Sequence, residues 1–121
     1  MCDCEQIQRL TGLWYSAEYS TFSISDEADN YTLTVAGYSG DAGNAMAAAG
    51  SVWITSNGLP FSTPDSDNDV WSGNCADNEG SGWWFGECSV SHVNKDTNAI
   101  WQEDPNGIWN VQASRMLVKL N

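Results

Sequence analysis

The sequence predicts an α+β domain: a small antiparallel sheet, one short helix, and a long irregular region held by something other than strand pairing. Three observations point there. Two stretches alternate apolar and polar residues on either side of a turn-forming segment. A short Ala-rich stretch sits between a capping aspartate and a glycine. From residue 65 to 107 there is little periodicity and much Gly, Asn, Asp and Trp.

The alternating stretches form a hairpin. In YSTFSIS, Phe22 and Ile24 alternate with Thr21 and Ser23; in YTLTV, Tyr31, Leu33 and Val35 alternate with Thr32 and Thr34. DEADN (26–30) between them is turn chemistry. Asp41 is placed to cap a helix over Asn44–Ala49, closed by Gly50. SVWIT (51–55) either extends that segment or makes a short strand, and Ser56-Asn57-Gly58 is a turn. A final strand is expected at Met116–Val118. Residues 1–11, carrying Cys2 and Cys4, read as a lead-in that is either a helical stub or a tail, and 12–121 as the domain. Trp71, Trp83, Trp84, Trp101 and Trp109 are expected to form local core within the irregular region.

A polypeptide of 121 residues is sized for one domain that buries roughly 65% of its unfolded surface. Sixteen acidic residues against four basic ones give a net charge of −12, which repels phosphates. Nucleic acid and anionic membrane are therefore excluded as natural partners. No apolar run approaches the ~20 residues of a membrane span. Met1 is followed directly by Cys-Asp-Cys with no leader pattern, which suggests a mature form with an added initiator. Four cysteines in a small acidic protein favour disulfides and an oxidising, extracellular setting. Zinc would want Cys-x-x-Cys or several histidines, and His92 is the only histidine.

Residues 65–75, DSDNDVWSGNC, place Asp65, Asp67 and Asp69 at alternate positions. Calcium takes six to eight oxygens, and alternating aspartates in a tight loop can converge on one ion. An EF-hand is excluded: its sixth and twelfth positions, counted from Asp65, are Val70 and Ala76 rather than Gly and Glu. Spacing alone leaves two readings open, a metal loop or a solvated acidic turn. For catalysis, no Ser or Cys is paired with a base in any motif. The spacing of Asp77, Glu79, Glu87, Glu103 and Asp104 argues for no acid/base pair, and His92 reads as structural or surface. The protein is not expected to be an enzyme.

Read onward, FSTPDSDNDVWSGNCADNEGSGWWFGEC resembles the fibrinogen-related domains, the family of fibrinogen's globular ends, ficolins, tachylectins, angiopoietins and tenascin tips. The matching residues are NG (57–58), FST (61–63), DND (67–69), NCA (74–76), GSGWW (80–84) and Cys88; AEYSTFSISDEADNYTLTVAGYSGDAG (17–43) matches upstream. The resemblance covers most of 12–94 and about the C-terminal half of the family domain, so it implies a truncated fibrinogen-like domain. It implies a Ca²⁺ loop with the carboxylates of Asp67 and Asp69 and the backbone carbonyls of Trp71 and Gly73 as ligands, Asp65 being only a flanking acid. It also implies a Cys75–Cys88 disulfide. Such a bridge closes a loop of about 14 residues, worth ~3 kcal/mol in the chain-entropy model. The Glu87–Cys88 peptide is cis in many members, and the ligand pocket lies at Phe85, Glu87, Cys88 and Ser89, taking acetyl groups, sialic acid or a peptide's amino end.

The departures fall on the pocket. Extra sequence lies between 44 and 57, and only Lys95–Ile100 stand where the family has a long tyrosine-bearing loop. Ser89 replaces a common histidine and Glu87 a common basic or neutral residue. The implied function is a secreted, lectin-like calcium-binding module for acetylated glycans, or for a small acetylated ligand or a protein. The alternative is an adhesive extracellular protein that assembles as a homo-oligomer through exposed sheet edges and inter-chain disulfides at Cys2 and Cys4.

Overall fold

The computed structural model describes residues 2–47, 55–95, 99–103 and 107–120. Five strands form one antiparallel sheet: β1 (Cys2–Arg9), β2 (Trp14–Ile24), β3 (Leu33–Gly40), β4 (Ile100–Glu103) and β5 (Gly107–Lys119). Their order across the sheet is β3-β2-β1-β5-β4.

The predicted hairpin is β2–β3, with Phe22 opposite Val35 and Ile24 opposite Leu33. Its turn is tightened by a 3-10 segment, Glu27–Asp29, whose capping residue Asp26 accepts the Asp29 N–H. The alternation slips by one position in both strands around Ser20 and Gly37. Tyr19 and Phe22 are both buried, and the Tyr19 and Tyr38 rings meet at 5.8 Å.

Three expectations are corrected. Residues 2–9 are neither a helical stub nor a tail: they form β1, the middle strand, paired with β2 on one side and β5 on the other. The buried positions Glu5 and Ile7 alternate with half-buried Cys4, Gln6 and Gln8. That is a period of two, which polar Cys, Asp, Glu and Gln side chains conceal in the sequence. Residues 45–47 make a turn rather than the start of a helix. The Met46 carbonyl accepts from the Ser56 and Asn57 N–H groups, 3.1 and 2.9 Å, which ties this turn to the Ser56-Asn57-Gly58 turn. Residues 48–50 of the expected helix, and 51–54 after it, lie outside the described residues. Among the described residues the α-helix is α1 (Cys75–Glu79), a single turn capped by the Asn74 side chain and closed by Gly80. Five residues are too few to leave a periodic signal. The last strand runs well beyond Met116–Val118, over all of β5.

One face of the sheet packs under the irregular region. Ile7, Ala17, Tyr19, Phe22, Leu33 and Val35 meet Met46, Cys75, Trp83, Trp84, Phe85 and Trp101 in a continuous core. Trp83, Trp84 and Trp101 behave as expected and their indole N–H groups all donate, to Ser56 Oγ, the Tyr31 carbonyl and the Ala42 carbonyl. Trp71 is corrected: it is 37% exposed. It lies on the acidic loop, outside the core cluster. The Trp109 side chain lies outside the described set.

The outer edge of β3 is partly occupied. Leu33 exchanges backbone hydrogen bonds with Gly58 and Leu59, and the Val35 N–H donates to Asn57 Oδ1. The expected open edge is therefore closed on that side over these residues. No helix among the described residues is long and apolar enough to cross a membrane.

Gly40 fixes how β3 leaves the sheet. Its φ is +124°, and a Cβ there would stand 2.2 Å from the Ser16 carbonyl oxygen. Gly40→Ala is expected to cost about 2–3 kcal/mol, because both the backbone angle and the β2 contact oppose the methyl group. Urea unfolding checks this; a loss below about 0.5 kcal/mol would contradict it.

Candidate functional site

The acidic loop is organised by its own carboxylates. Asp67 Oδ1 accepts the Asp69 N–H at 3.2 Å. Asp69 Oδ1 accepts the Trp71 N–H at 3.0 Å, and its Oδ2 accepts the Cys75 N–H at 2.9 Å. Asp69 is thus the link between the loop and α1. Burial pushes its carboxyl above the ordinary value, and the neighbouring Asp67 adds to that, while the Cys75 and Trp71 amides oppose it. Asp65 faces elsewhere: Thr63 Oγ1 donates to its Oδ1 at 2.7 Å and holds its carboxyl below the usual range.

The donor set fits a hard cation. Asp67 and Asp69 carry like charge, and the ion pairs of Glu79 with His92 and Lys95 do not involve them. A Cβ at Gly73 would come 2.6 Å from the Trp71 indole, so the bare glycine lets the backbone fold back against residue 71. No group of three or more His, Cys, Asp or Glu side chains that could hold a metal is found among the described residues. A cation here would depend on backbone carbonyls and water for its remaining oxygens.

The loop is fastened to the cysteine-bridged segment. Cys75 and Cys88 are disulfide-bonded, with Cα atoms 5.6 Å apart. The Val70 N–H donates to the Gly86 carbonyl at 3.2 Å, and the Gly86 N–H donates to the Cys88 carbonyl at 2.8 Å. The Glu87–Cys88 peptide is cis. Glu87 is exposed, and Cys88 and Ser89 are half-buried. Phe85 is different: its ring is fully buried and packs edge-on against His92 at 4.9 Å. Its side chain supports the segment from beneath, so any contact it makes with a ligand would come from its backbone.

Two arrangements escaped the sequence. A relay of serines runs under the segment: Ser89 Oγ accepts the Ser91 N–H at 3.1 Å, Ser91 Oγ lies 3.3 Å from Ser56 Oγ, and Ser56 Oγ accepts from Trp83. A second knot surrounds His92, which is 2% exposed. Its Nε2 is 2.8 Å from Ser81 Oγ, and its Nδ1 is 3.7 Å from Glu79 Oε2, which also accepts from the Lys95 ammonium. These partners lie 11 to 16 positions apart in the sequence, so no periodic pattern marks them. Residues 96–98 of the shortened loop lie outside the described residues.

The other predicted cysteines are on the sheet. Cys4 is half-buried on β1, its Sγ 3.8 Å from Glu18 Oε1. Cys2 opens the same strand; its side chain is outside the described set.

Residues 5–116 match the family model described as the C-terminal globular domain of fibrinogen beta and gamma chains. The protein belongs to this family. It is 38% identical to the human fibrinogen gamma chain over 97 residues, 74% of this sequence and 21% of that one. It superposes on the fibrinogen-like globe domain of human ANGPTL6 with a TM-score of 0.80 at 30% identity, with 98% of this protein and 57% of the other covered. Lamprey fibrin D-dimer, solved with the peptide ligand Gly-His-Arg-Pro-amide, gives a TM-score of 0.82 at 28% identity over 95% and 44%. The protein thus spans about a fifth of the human gamma chain and about half of these solved structures. The disulfide, the cis peptide and the antiparallel sheet of this fibrinogen-type domain are those the motifs led us to expect.

The His92 knot carries a pH dependence. Burial holds the imidazole below its ordinary value; Glu79 pulls it up and Lys95 pushes it down. A depressed folded value means the unfolded state takes the proton first, so stability is complete above the unfolded value of ~6.5 and erodes as pH falls below it. Tm should drop on the order of a few degrees between about pH 7.5 and 5.5. His92→Gln should be less stable at the upper pH but nearly flat over that interval. Equal slopes in both proteins, followed by scanning fluorimetry, would remove His92 from the account.

Proposed function

We propose that this fibrinogen-type domain is a secreted, non-catalytic, calcium-supported recognition module. Asp67 and Asp69, with the carbonyls of Trp71 and Gly73, would hold Ca²⁺. The backbone around Glu87, Cys88 and Ser89 would take the ligand. The observation that carries this reading is the direct attachment of the two parts. The acidic loop bonds to Cys75 through Asp69 and to Gly86 through Val70, so ordering the loop braces the segment beside it. Calcium supplies charge neutralisation for the Asp67–Asp69 pair when bound.

The ligand class is a neutral acetylated glycan or a cationic peptide end. A net charge of −12 and the exposed Glu87 disfavour sialylated and other anionic ligands. The Gly-His-Arg-Pro-amide peptide of the lamprey complex is cationic, which makes it a useful second probe. Assembly through sheet edges and inter-chain disulfides has less support. Loop residues 57–59 occupy part of the β3 edge, and Cys4 sits on the middle strand.

Calcium should raise thermal stability by mass action, about 1.4 kcal/mol at tenfold excess over Kd. Extracellular sites commonly bind at ~10⁻⁴–10⁻³ M, so the titration must reach several millimolar. Asp67→Ala and Asp69→Ala should each abolish the response, whereas Asp65→Ala should keep it. A response that survives both of the first two substitutions would relocate the metal.

Ligand binding is tested separately. N-acetylglucosamine on a glycan surface and Gly-His-Arg-Pro-amide are offered with millimolar calcium and again with EDTA. Binding of either probe that is lost on chelation is the expected result. Binding of neither, in a protein that does respond to calcium, would leave the metal loop standing and overturn the recognition role.

A further inference from the structure

The loop region covers one face of the sheet, and the other face has no covering among the described residues. In register across four strands, that face presents Ser39, Glu18, Cys4 and Leu117 as one row. The next row toward the β1–β2 turn is Ser16, Gln6 and Arg115. Trp14 lies beyond it, with the Arg115 guanidinium 4.7 Å over its ring. Lys119 lies on the opposite side of the Leu117 row. The face holds a shallow depression of about 490 Å³ near Cys4, Glu18, Leu117 and Lys119. Leu117 is 50% exposed and Trp14 43%.

The charges on this face are segregated. Glu18 stands on β2, to one side of β1. Arg115 and Lys119, two of only four basic residues in the protein, stand on β5 to the other side. A third basic residue, Lys95, is engaged by Glu79. The acidic loop of Asp65, Asp67 and Asp69 belongs to the region that packs on the opposite face. The open face is thus where cations and apolar groups gather on an otherwise acidic molecule.

We propose that a second copy of this protein packs on this face, sheet against sheet, about a two-fold axis running along β1. Rotation about that axis brings β2 of one copy over β5 of the other. Glu18 of each copy then faces the partner's Leu117, flanked by the partner's Arg115 and Lys119, twice over by symmetry. The two Leu117 side chains and Trp14 rings lose water in the same event. The mirrored placement of acid and base makes the surface complementary to itself, which a sheet face of one charge sign would not be. Packed sheets lie about 10 Å apart, whereas a disulfide needs Cα atoms within ~7 Å. The two Cys4 residues therefore come near one another across the axis without bridging, and the dimer is non-covalent. It uses neither the calcium loop nor the segment around Cys88.

Sedimentation velocity on the 121-residue protein, with reductant present, tests this. A reversible dimer is expected in the micromolar range. Leu117→Glu, Glu18→Lys and Lys119→Glu should each weaken it by at least ~10-fold. The double variant Glu18→Lys/Lys119→Glu restores opposite signs across the axis and should recover most of the affinity. Leu10→Glu, an exposed apolar position in the β1–β2 turn, should change nothing. All four sites are exposed, and circular dichroism confirms folding of each variant. A monomer at every concentration to roughly 100 µM overturns the proposal, whatever other polypeptide then covers the face. A dimer indifferent to Leu117→Glu and to both charge reversals overturns it equally.

Discussion

The bond from the Cys75 N–H to Asp69 is where the structure is held together. Residues 55–95 form no strand of the sheet and carry only two isolated bridges among themselves, Ser62–Trp83 and Thr63–Ser66, so most of their backbone groups depend on side chains and turns. Asp69 receives two of those N–H groups and so joins the acidic loop to the start of α1. Cys75 is also one end of the disulfide, so one residue pins the loop through its amide and the segment around Cys88 through its sulfur. Trp83 and Trp84 follow α1 directly and carry this assembly down onto the sheet.

This arrangement explains why the acidic loop tolerates like charges. Asp67 and Asp69 are drawn together by backbone donors at fixed positions rather than by a basic partner. The cost is visible in the raised carboxyl of Asp69, whose burial and acidic neighbour oppose ionisation. A divalent cation bound there, as proposed, would offset that cost.

The legible parts of the sequence were those with local repeat or a dense ordered motif. Phe22, Ile24, Leu33 and Val35 announced the hairpin through period two, and FST, DND, NCA and GSGWW announced the loop and its bridge. What escaped had no local signature. β1 alternates like any strand, but Glu5 occupies an inward position where an apolar residue would have declared it. The His92 and Ser89 networks join residues far apart in the sequence. Spacing alone makes Asp65 the first of an acidic series; the resemblance already set it aside as a flanking acid, and its bond to Thr63 shows where its carboxylate is engaged. The resemblance groups Phe85 with Glu87, Cys88 and Ser89, and only the structure shows that its ring belongs to the core.

The position of β1 has a consequence for how the polypeptide acquires its shape. Cys2 pairs with Lys119, so the first strand finds one neighbour at once and the other only at the far end of the sequence. On a ribosome, residues 2–9 can join β2 and β3 early, yet the sheet stays open until β5 has emerged. Closing so long a loop has an entropic cost that local contacts do not relieve. Until β5 has emerged, a nascent polypeptide would therefore expose the β5 side of its middle strand, and β5 is the strand that closes it.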